Sequence, residues 1–348
     1  MKKVIFALAA VVALAACSNE ETTIKQSREA INFNDAFVEN TTRAIDPSIT
    51  TGTISSFKVY GTTQGDEKNA NGDVIAPVVN IYSGVDVTKA VVANGIGNAD
   101  SWWYEGDYVQ YWIEGNTYNF AAVVNGTVDT DDATGMPETI SYAADGVTDL
   151  LYAEYTTTGQ KTGNATVGFT FDHLLSKVKF TFKNTSAAGS NDNYTYKVTG
   201  LQITGTPASG EYTVANYLTS NDAWTRNSSA TTTTTYGHIV DKDEDDDDDV
   251  AIDVAPGAYG VSNYERLVIP GTYNINVKCR IALLYNDEEV DVTNYNENVD
   301  VTFADGCAYN LVLSGSVGEQ IMFTCTKVND WDTDHNDDGN GNDVTPLQ

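Results

Sequence analysis

Val167-Gly-Phe-Thr-Phe-Asp-His-Leu-Leu-Ser-Lys-Val-Lys-Phe-Thr-Phe182 holds two runs of strict alternation. In the first, Val167, Phe169 and Phe171 alternate with Gly168, Thr170 and Asp172; in the second, Val178, Phe180 and Phe182 alternate with Lys177, Lys179, Thr181 and Lys183. A period of two sends successive side chains to opposite faces of a strand, so each run reads as a strand with one apolar and one polar face. Strands of that kind belong to antiparallel sheets packed face to face.

The same pattern extends outward in both directions. Tyr273 to Leu283 alternates with Asn274, Asn276, Lys278, Arg280 and Ala282. Shorter runs lie at Phe57–Tyr60, Val109–Ile113, Tyr118–Val124, Leu201–Ile203, Val290–Val292, Val299–Phe303 and Ile321–Cys325. Convincing helical periodicity is almost absent, and the 20 tyrosines favour strands over helices. The sequence therefore predicts an all-β protein of two tandem β-sandwich domains. Gly-, Asn-, Asp- and Thr-rich stretches at Asn125–Gly146, Asn184–Asn193, Ser220–Tyr236 and Asp241–Asp249 read as connections. The polar stretch Thr156–Asn164 puts a domain boundary near Gly163, giving expected domains at 44–163 and 164–332 and a polar tail at 333–348.

The first residues set the compartment. Lys2 and Lys3 precede an unbroken apolar run from Val4 to Ala16. That run is shorter than the roughly 20 residues that span a bilayer, so 1–16 reads as a signal peptide. It ends in Leu14-Ala15-Ala16-Cys17, the pattern of a lipoprotein cleavage site, which makes Cys17 the expected lipidation site and a lipid anchor the only expected membrane contact. Removing Lys2 and Lys3 leaves 17 of the 19 basic residues against 49 acidic ones, a net charge of −32. Such a surface repels nucleic acid. Beyond Cys17 stand only Cys279, Cys307 and Cys325, each in phase with an apolar strand face and none in a CxxC spacing. They read as small buried hydrophobes and not as a disulfide or zinc framework.

Catalytic patterns are missing from the sequence. It contains no HExxH, no GxSxG and no P-loop, and Gly95-Ile96-Gly97 lacks the third glycine and the setting of a dinucleotide site. Of the three histidines, His173 falls in phase with Phe169 and Phe171 as a core or edge residue, while His238 and His335 lie in polar loops. The expectation is a protein that is not an enzyme and has no resident cofactor. Calcium is the one ion with a pattern to fit. Asp334-His335-Asn336-Asp337-Asp338-Gly339 opens like an EF-hand loop, offering Asp334, Asn336 and Asp338, but Thr345 stands where the bidentate glutamate belongs, so a polar tail is the better reading. The aspartates of 241–249 read as a solvated loop that could also draw calcium. Trp102, Trp103 and Tyr104 could form a sugar-stacking platform, although packing is the commoner use of such residues.

The order of motifs resembles the fimbrillin family of the Bacteroidota, subunits of type V pili. After the cleavage site come Ala30-Ile31-Asn32-Phe33, Thr42-Arg43-Ala44 and Ile54 to Gly61. Trp112 with Tyr118-Asn119-Phe120-Ala121-Ala122, Leu150-Leu151-Tyr152-Ala153 and Phe171 to Phe182 follow. Ile269-Pro270-Gly271-Thr272-Tyr273, Ala308-Tyr309-Asn310-Leu311, Ile321-Met322-Phe323-Thr324 and Trp331 complete the set. The resemblance implies two transthyretin-like sandwiches, export as a lipoprotein to the outer surface, and cutting by an arginine-specific protease. It further implies that other fimbrial subunits insert a strand where the cut segment lay, building a fimbrium that mediates adhesion. On this chain Arg43-Ala44 matches the processing site, 17–43 the pro-segment, and Ala30–Val38 the pro-strand, with Ile31, Phe33 and Phe37 filling the groove. Arg28 competes as a cleavage site but precedes the strand. The polar tail after Trp331 departs from the family pattern, because it cannot fill an apolar groove. Either Ile321–Val328 does so, or the subunit sits at a tip or accessory position. The alternative expectation is a monomeric, outer-surface, glycan-binding lipoprotein.

Overall fold

The computed structural model describes residues 29–38, 54–97, 102–160, 163–164, 166–189, 191–214, 223–241 and 250–330. Among these the chain is all β, strands β1 to β23 in chain order, with one 3₁₀ turn at Gly106–Tyr108 and no α-helix. The first sheet runs, edge to edge, β1 (Phe33–Val38), β10 (Val167–His173), β9 (Leu151–Thr158), β6 (Thr117–Val124), β2 (Ser56–Gln64) and β3 (Val78–Thr88). The second runs β16 (Ile239–Val240), β18 (Tyr259–Ser262), β11 (Ser176–Asn184), β22 (Cys307–Gly315) and β23 (Met322–Asp330), with β19 (Arg266–Val268) also on β11. The third runs β15 (Thr231–Gly237), β12 (Tyr194–Pro207), β20 (Gly271–Tyr285) and β21 (Glu288–Phe303), with β17 (Asp253–Val254) on β12. A fourth sheet joins β14 (Trp224–Arg226) and β13 (Ser209–Thr213) to β8 (Pro137–Ala143) and β7 (Thr127–Thr130). β4 (Gly95–Ile96) and β5 (Tyr104–Glu105) make a short ribbon.

The alternation explains the layers. Val178, Phe180 and Phe182 of β11 and Leu311 and Leu313 of β22 meet Val198, Ile203, Ile275, Val277 and Ile281 in one core between the second and third sheets. The two long strands of the third sheet are joined through Asn286-Asp287, both at positive φ (52° and 66°), the two-residue turn whose twist matches paired strands. The first sheet has cores on both faces. Phe57, Val59, Phe120, Ala122, Phe169 and Phe171 face one, while Tyr60, Ala121, Val123 and Tyr152 face the other, beneath Ile140, Tyr142, Tyr212 and Trp224 of the fourth sheet. The expected one-sided alternation over Tyr118–Val124 does not hold: both faces of β6 are buried, so it carries Phe-Ala-Ala-Val-Val with apolar residues on each side.

Several sequence expectations change here. Val109–Ile113 is not a strand; Tyr111 makes one isolated bridge, to Ala30. Asn125–Gly146 contains β7 and β8, and Ser220–Tyr236 contains β14 and most of β15. Those strands carry Thr and Ser on exposed faces and bury few side chains, so composition hid them. Proposed breakpoint Gly163 precedes β10, which hydrogen-bonds in the first sheet; the chain changes sheet at Leu174-Leu175, both buried.

That crossing carries buried polar groups. His173 Nδ1 lies 2.6 Å from Asp149 Oδ2, with side chains 2% and 1% exposed. His173 is thus a core residue facing a carboxylate. Nearby, Lys177 and Glu265 are both buried at 3.9 Å; burial lowers the lysine's pKa, with the Glu265 charge opposing. Removing one partner of a buried hydrogen-bonded pair leaves the other unsatisfied. Asp149→Ala is therefore expected to lower unfolding free energy by roughly 1–3 kcal/mol in urea titrations. Asp86→Ala, which breaks an exposed pair with Lys58, should shift it by at most about 1 kcal/mol.

Cys279 and Cys307 are buried and Cys325 half-buried, all as free thiols. Burial pushes the thiols of Cys279 and Cys325 up to about 12. Since the thiolate is the nucleophile, only about 10⁻⁴ of either is reactive near pH 8. Mass spectrometry should find Cys279 and Cys325 unmodified by iodoacetamide in the native protein and fully modified after denaturation.

Candidate functional site

The segment Glu29–Val38 lies along the outer edge of β10 and closes one core of the first sheet. Its main chain is tied at the N-terminal end. Ile31 N–H donates to Gln110 O at 2.9 Å, Trp112 N–H donates to Glu29 O at 3.0 Å, and Val167 N–H donates to Asn32 O at 2.9 Å. The Glu29 carboxylate accepts from the main-chain and side-chain N–H of Asn164, at 3.0 and 3.1 Å. The alternation at Val109–Ile113 thus serves this segment and not a sheet of its own.

β1 then runs parallel to β10, Phe33 opposite Val167 and Val38 opposite Phe171. The four other neighbour pairs along this sheet are antiparallel. A register shift between Asn34 and Ala36 sets Ala36 opposite Phe169 and Phe37 opposite Thr170. Phe169 faces the core and Thr170 faces solvent. In a parallel pair, facing residues share a side, so the register puts the positions of Ala36 and Val38 on the core side and that of Phe37 on the other. The side chain of Phe37 lies outside the described residues.

Ile31 and Phe33 are fully buried. The Phe33 ring sits in an aromatic cage with centroids 5.5 Å from Tyr104, 5.7 Å from Tyr82, 6.1 Å from Phe169, 6.2 Å from Phe57 and 6.3 Å from Phe120. Four of those five meet it edge-on or nearly so, the arrangement that aromatic quadrupoles favour. Tyr104 O–H donates to Ile31 O at 2.7 Å and receives a bond from Tyr82 O–H at 3.4 Å. Burial raises the pKa of both phenols, so they stay neutral donors at physiological pH. Trp102 is buried in the same core and Trp103 is half-buried. Trp102-Trp103-Tyr104 is therefore a wall of this groove and not an exposed sugar platform.

The sequence pointed to Ile31 and Phe33 but not to Tyr104, Tyr82 or Glu29, which bind the segment's main chain and carboxylate. The adjacent tryptophans beside Tyr104 were the available signal. Cys17, Arg43, Ala44, Asp334, Asn336, Asp338 and 242–249 lie outside the described residues. Among the described residues no group of three His, Cys, Asp or Glu side chains is placed to hold a metal.

Phe33→Ala empties the cage, and large-to-small aromatic changes in cores cost about 3–5 kcal/mol. The expected result is a loss of that size in the urea unfolding of the first-sheet core, read through Trp102 and Trp112 fluorescence.

Among the described residues the chain is all β, with an aromatic groove filled by its own strand β1. A fimbrillin-like family model matches residues 42–331, most of the chain, and the protein belongs to that family of fimbrial structural proteins, which are not enzymes. No curated protein matches the sequence. A fimbrial protein from Bacteroides vulgatus has a similar fold, with a TM-score of 0.58 at 14% identity over 87% of this chain and 99% of that one. A fimbrial assembly protein from Parabacteroides distasonis matches over 86% of this chain and 97% of that one at 14% identity, with a TM-score of 0.36. β1 precedes the residues matched to the family.

Proposed function

We propose that the chain is a surface fimbrial subunit in which β1 holds the place of a neighbouring subunit's strand until proteolysis at Arg43 releases it. The observation that carries this reading is the position of β1. It is an edge strand, the one parallel member of its sheet, and without it β10, β9, β6, β2 and β3 still form a continuous antiparallel sheet. Its loss would uncover the Phe33 cage and the free edge of β10, a site for strand addition in which main-chain bonds give affinity and alternate side chains give specificity. Arg43 follows Val38 by five residues, so a cut after it frees the whole segment. Each subunit would donate to one neighbour and accept from another, a heterologous contact that propagates as a filament and does not close.

In this reading Cys17 carries the lipid that holds the precursor at the outer membrane, the protease is arginine-specific, and the assembled fimbrium mediates adhesion. The groove's occupant in the polymer is an extended apolar strand. Ile321–Val328 provides one, its alternate residues Ile321, Phe323 and Cys325 only half-buried on an edge strand that pairs with β22 alone.

The test is native trypsin digestion of the chain begun at Ser18, followed by N-terminal sequencing and electrophoresis without boiling. The expected result is a new terminus at Ala44 and an SDS-resistant ladder. Arg43→Ala should abolish both. A chain cut after Arg43 that stays monomeric would overturn the proposal.

A further inference from the structure

A second polar cleft lies away from the β1 groove, where the turn between β8 and β9 meets the edge of the third sheet. Its volume is about 270 Å³, just under the roughly 300–1,000 Å³ of sites for drug-sized ligands, which suits one small molecule. Three unlike pieces build it. The first is a row of hydroxyls: Thr206 Oγ1 lies 2.9 Å from Thr232 Oγ1, which lies 3.4 Å from Thr234 Oγ1. The second is the Arg266 guanidinium, set over the Tyr264 ring at 4.4 Å from its centroid, with one N–H donated to Glu265 O. The third is the turn around Gly146, held at φ 82°.

Gly146 brings these together. A Cβ there would stand 3.2 Å from Arg266 Cδ and 3.7 Å from Thr234 Cγ2, so the bare α-carbon opens the space between them. Leu267 and Val268 of β19 also line the cleft, their side chains turned into two different cores. Asp145 adds a carboxylate at the rim, fixed by the N–H groups of Val147 and Thr148 and by the Thr148 hydroxyl.

The chemistry selects a class of ligand. A hydroxyl row both donates and accepts, a guanidinium only donates, and a carboxylate only accepts. A pyranose sugar needs that mixture, since each of its hydroxyls does both. The size of the cleft, about 270 Å³, suits a compact ring better than an extended peptide. Main-chain bonds from Ala144 N–H to Ala208 O, 2.9 Å, and from Leu267 N–H to Gly146 O, 2.8 Å, fix the turn that lines it. We propose that this cleft binds a neutral pyranose sugar, independently of how subunits join.

The test is titration of the uncut, full chain with glucose, galactose and N-acetylglucosamine, with open-chain sorbitol alongside, read by calorimetry. Saturable binding of at least one ring sugar is expected, with a Kd on the order of 1 mM. Arg266→Met and Thr234→Val should each weaken it roughly tenfold, the effect of one lost hydrogen bond. Gly146→Asn, which tolerates the left-handed backbone while filling the cleft, should abolish it. Circular dichroism of each variant confirms that it remains folded. No saturable binding to the wild-type chain, equal binding of sorbitol, or unchanged affinity in a folded Gly146→Asn protein would overturn the proposal. Because no cleavage is involved, the result stands apart from that of the trypsin experiment.

Discussion

The main-chain edge of β10 is the constraint around which the first half of the molecule is organised. A strand with Val167, Phe169 and Phe171 on its inner face cannot be left as an open margin, because an unpaired apolar edge invites another chain to join it. The protein meets this demand with its own N-terminal segment. Hydrogen bonds from Val167, Trp112 and Tyr104 fix that segment's backbone, and its Phe33 ring completes an aromatic core that would otherwise have a hole at its centre. Edge pairing and core filling are thus done by the same few residues, so neither can be lost alone.

A second constraint is the passage of the chain from the first sheet to the second. β10 and β11 are consecutive, yet their sheets enclose different cores, and only Leu174 and Leu175 lie between them. The join is surrounded by buried polar groups: Asp149 beside His173, Lys177 beside Glu265, and the Ser176 hydroxyl on Ala304 O at 2.7 Å. The fourth sheet reinforces it by pairing β8 from before the crossing with β13 from after it, Thr139 to Ala143 against Ser209 to Thr213. Such ties fix one half against the other by directional contacts and not by apolar area alone.

The sequence was legible wherever one face of a strand is apolar and the other polar. Val167–Phe182 and Tyr273–Leu283 fall on β10, β11 and β20 for that reason. It was illegible where burial did not follow that rule. β15 is a threonine run in which Tyr236 is the one fully buried side chain, and β8 offers little beyond Ile140 and Tyr142 to a core. Val109–Ile113 shows the opposite failure: the alternation is present, but its partner is Glu29–Ile31, more than 70 residues away in sequence. Of the groove, the entering residues Ile31 and Phe33 came from the family resemblance, which matches Ala30–Val38 to the pro-strand. The hydroxyls of Tyr104 and Tyr82 could not be read, because nothing local distinguishes a tyrosine that binds a distant carbonyl from one that fills a core.

The parallel placement of β1 also bears on the order in which the molecule folds. Phe33 pairs with Val167, a loop of 134 residues whose closure gains nothing until β10 itself is in place. The antiparallel strands beside it include close neighbours in sequence, such as β2 and β3, that can pair early. Loop closure therefore favours the docking of β1 after β10 has paired, and until β1 docks the aromatic cage lacks the ring at its centre.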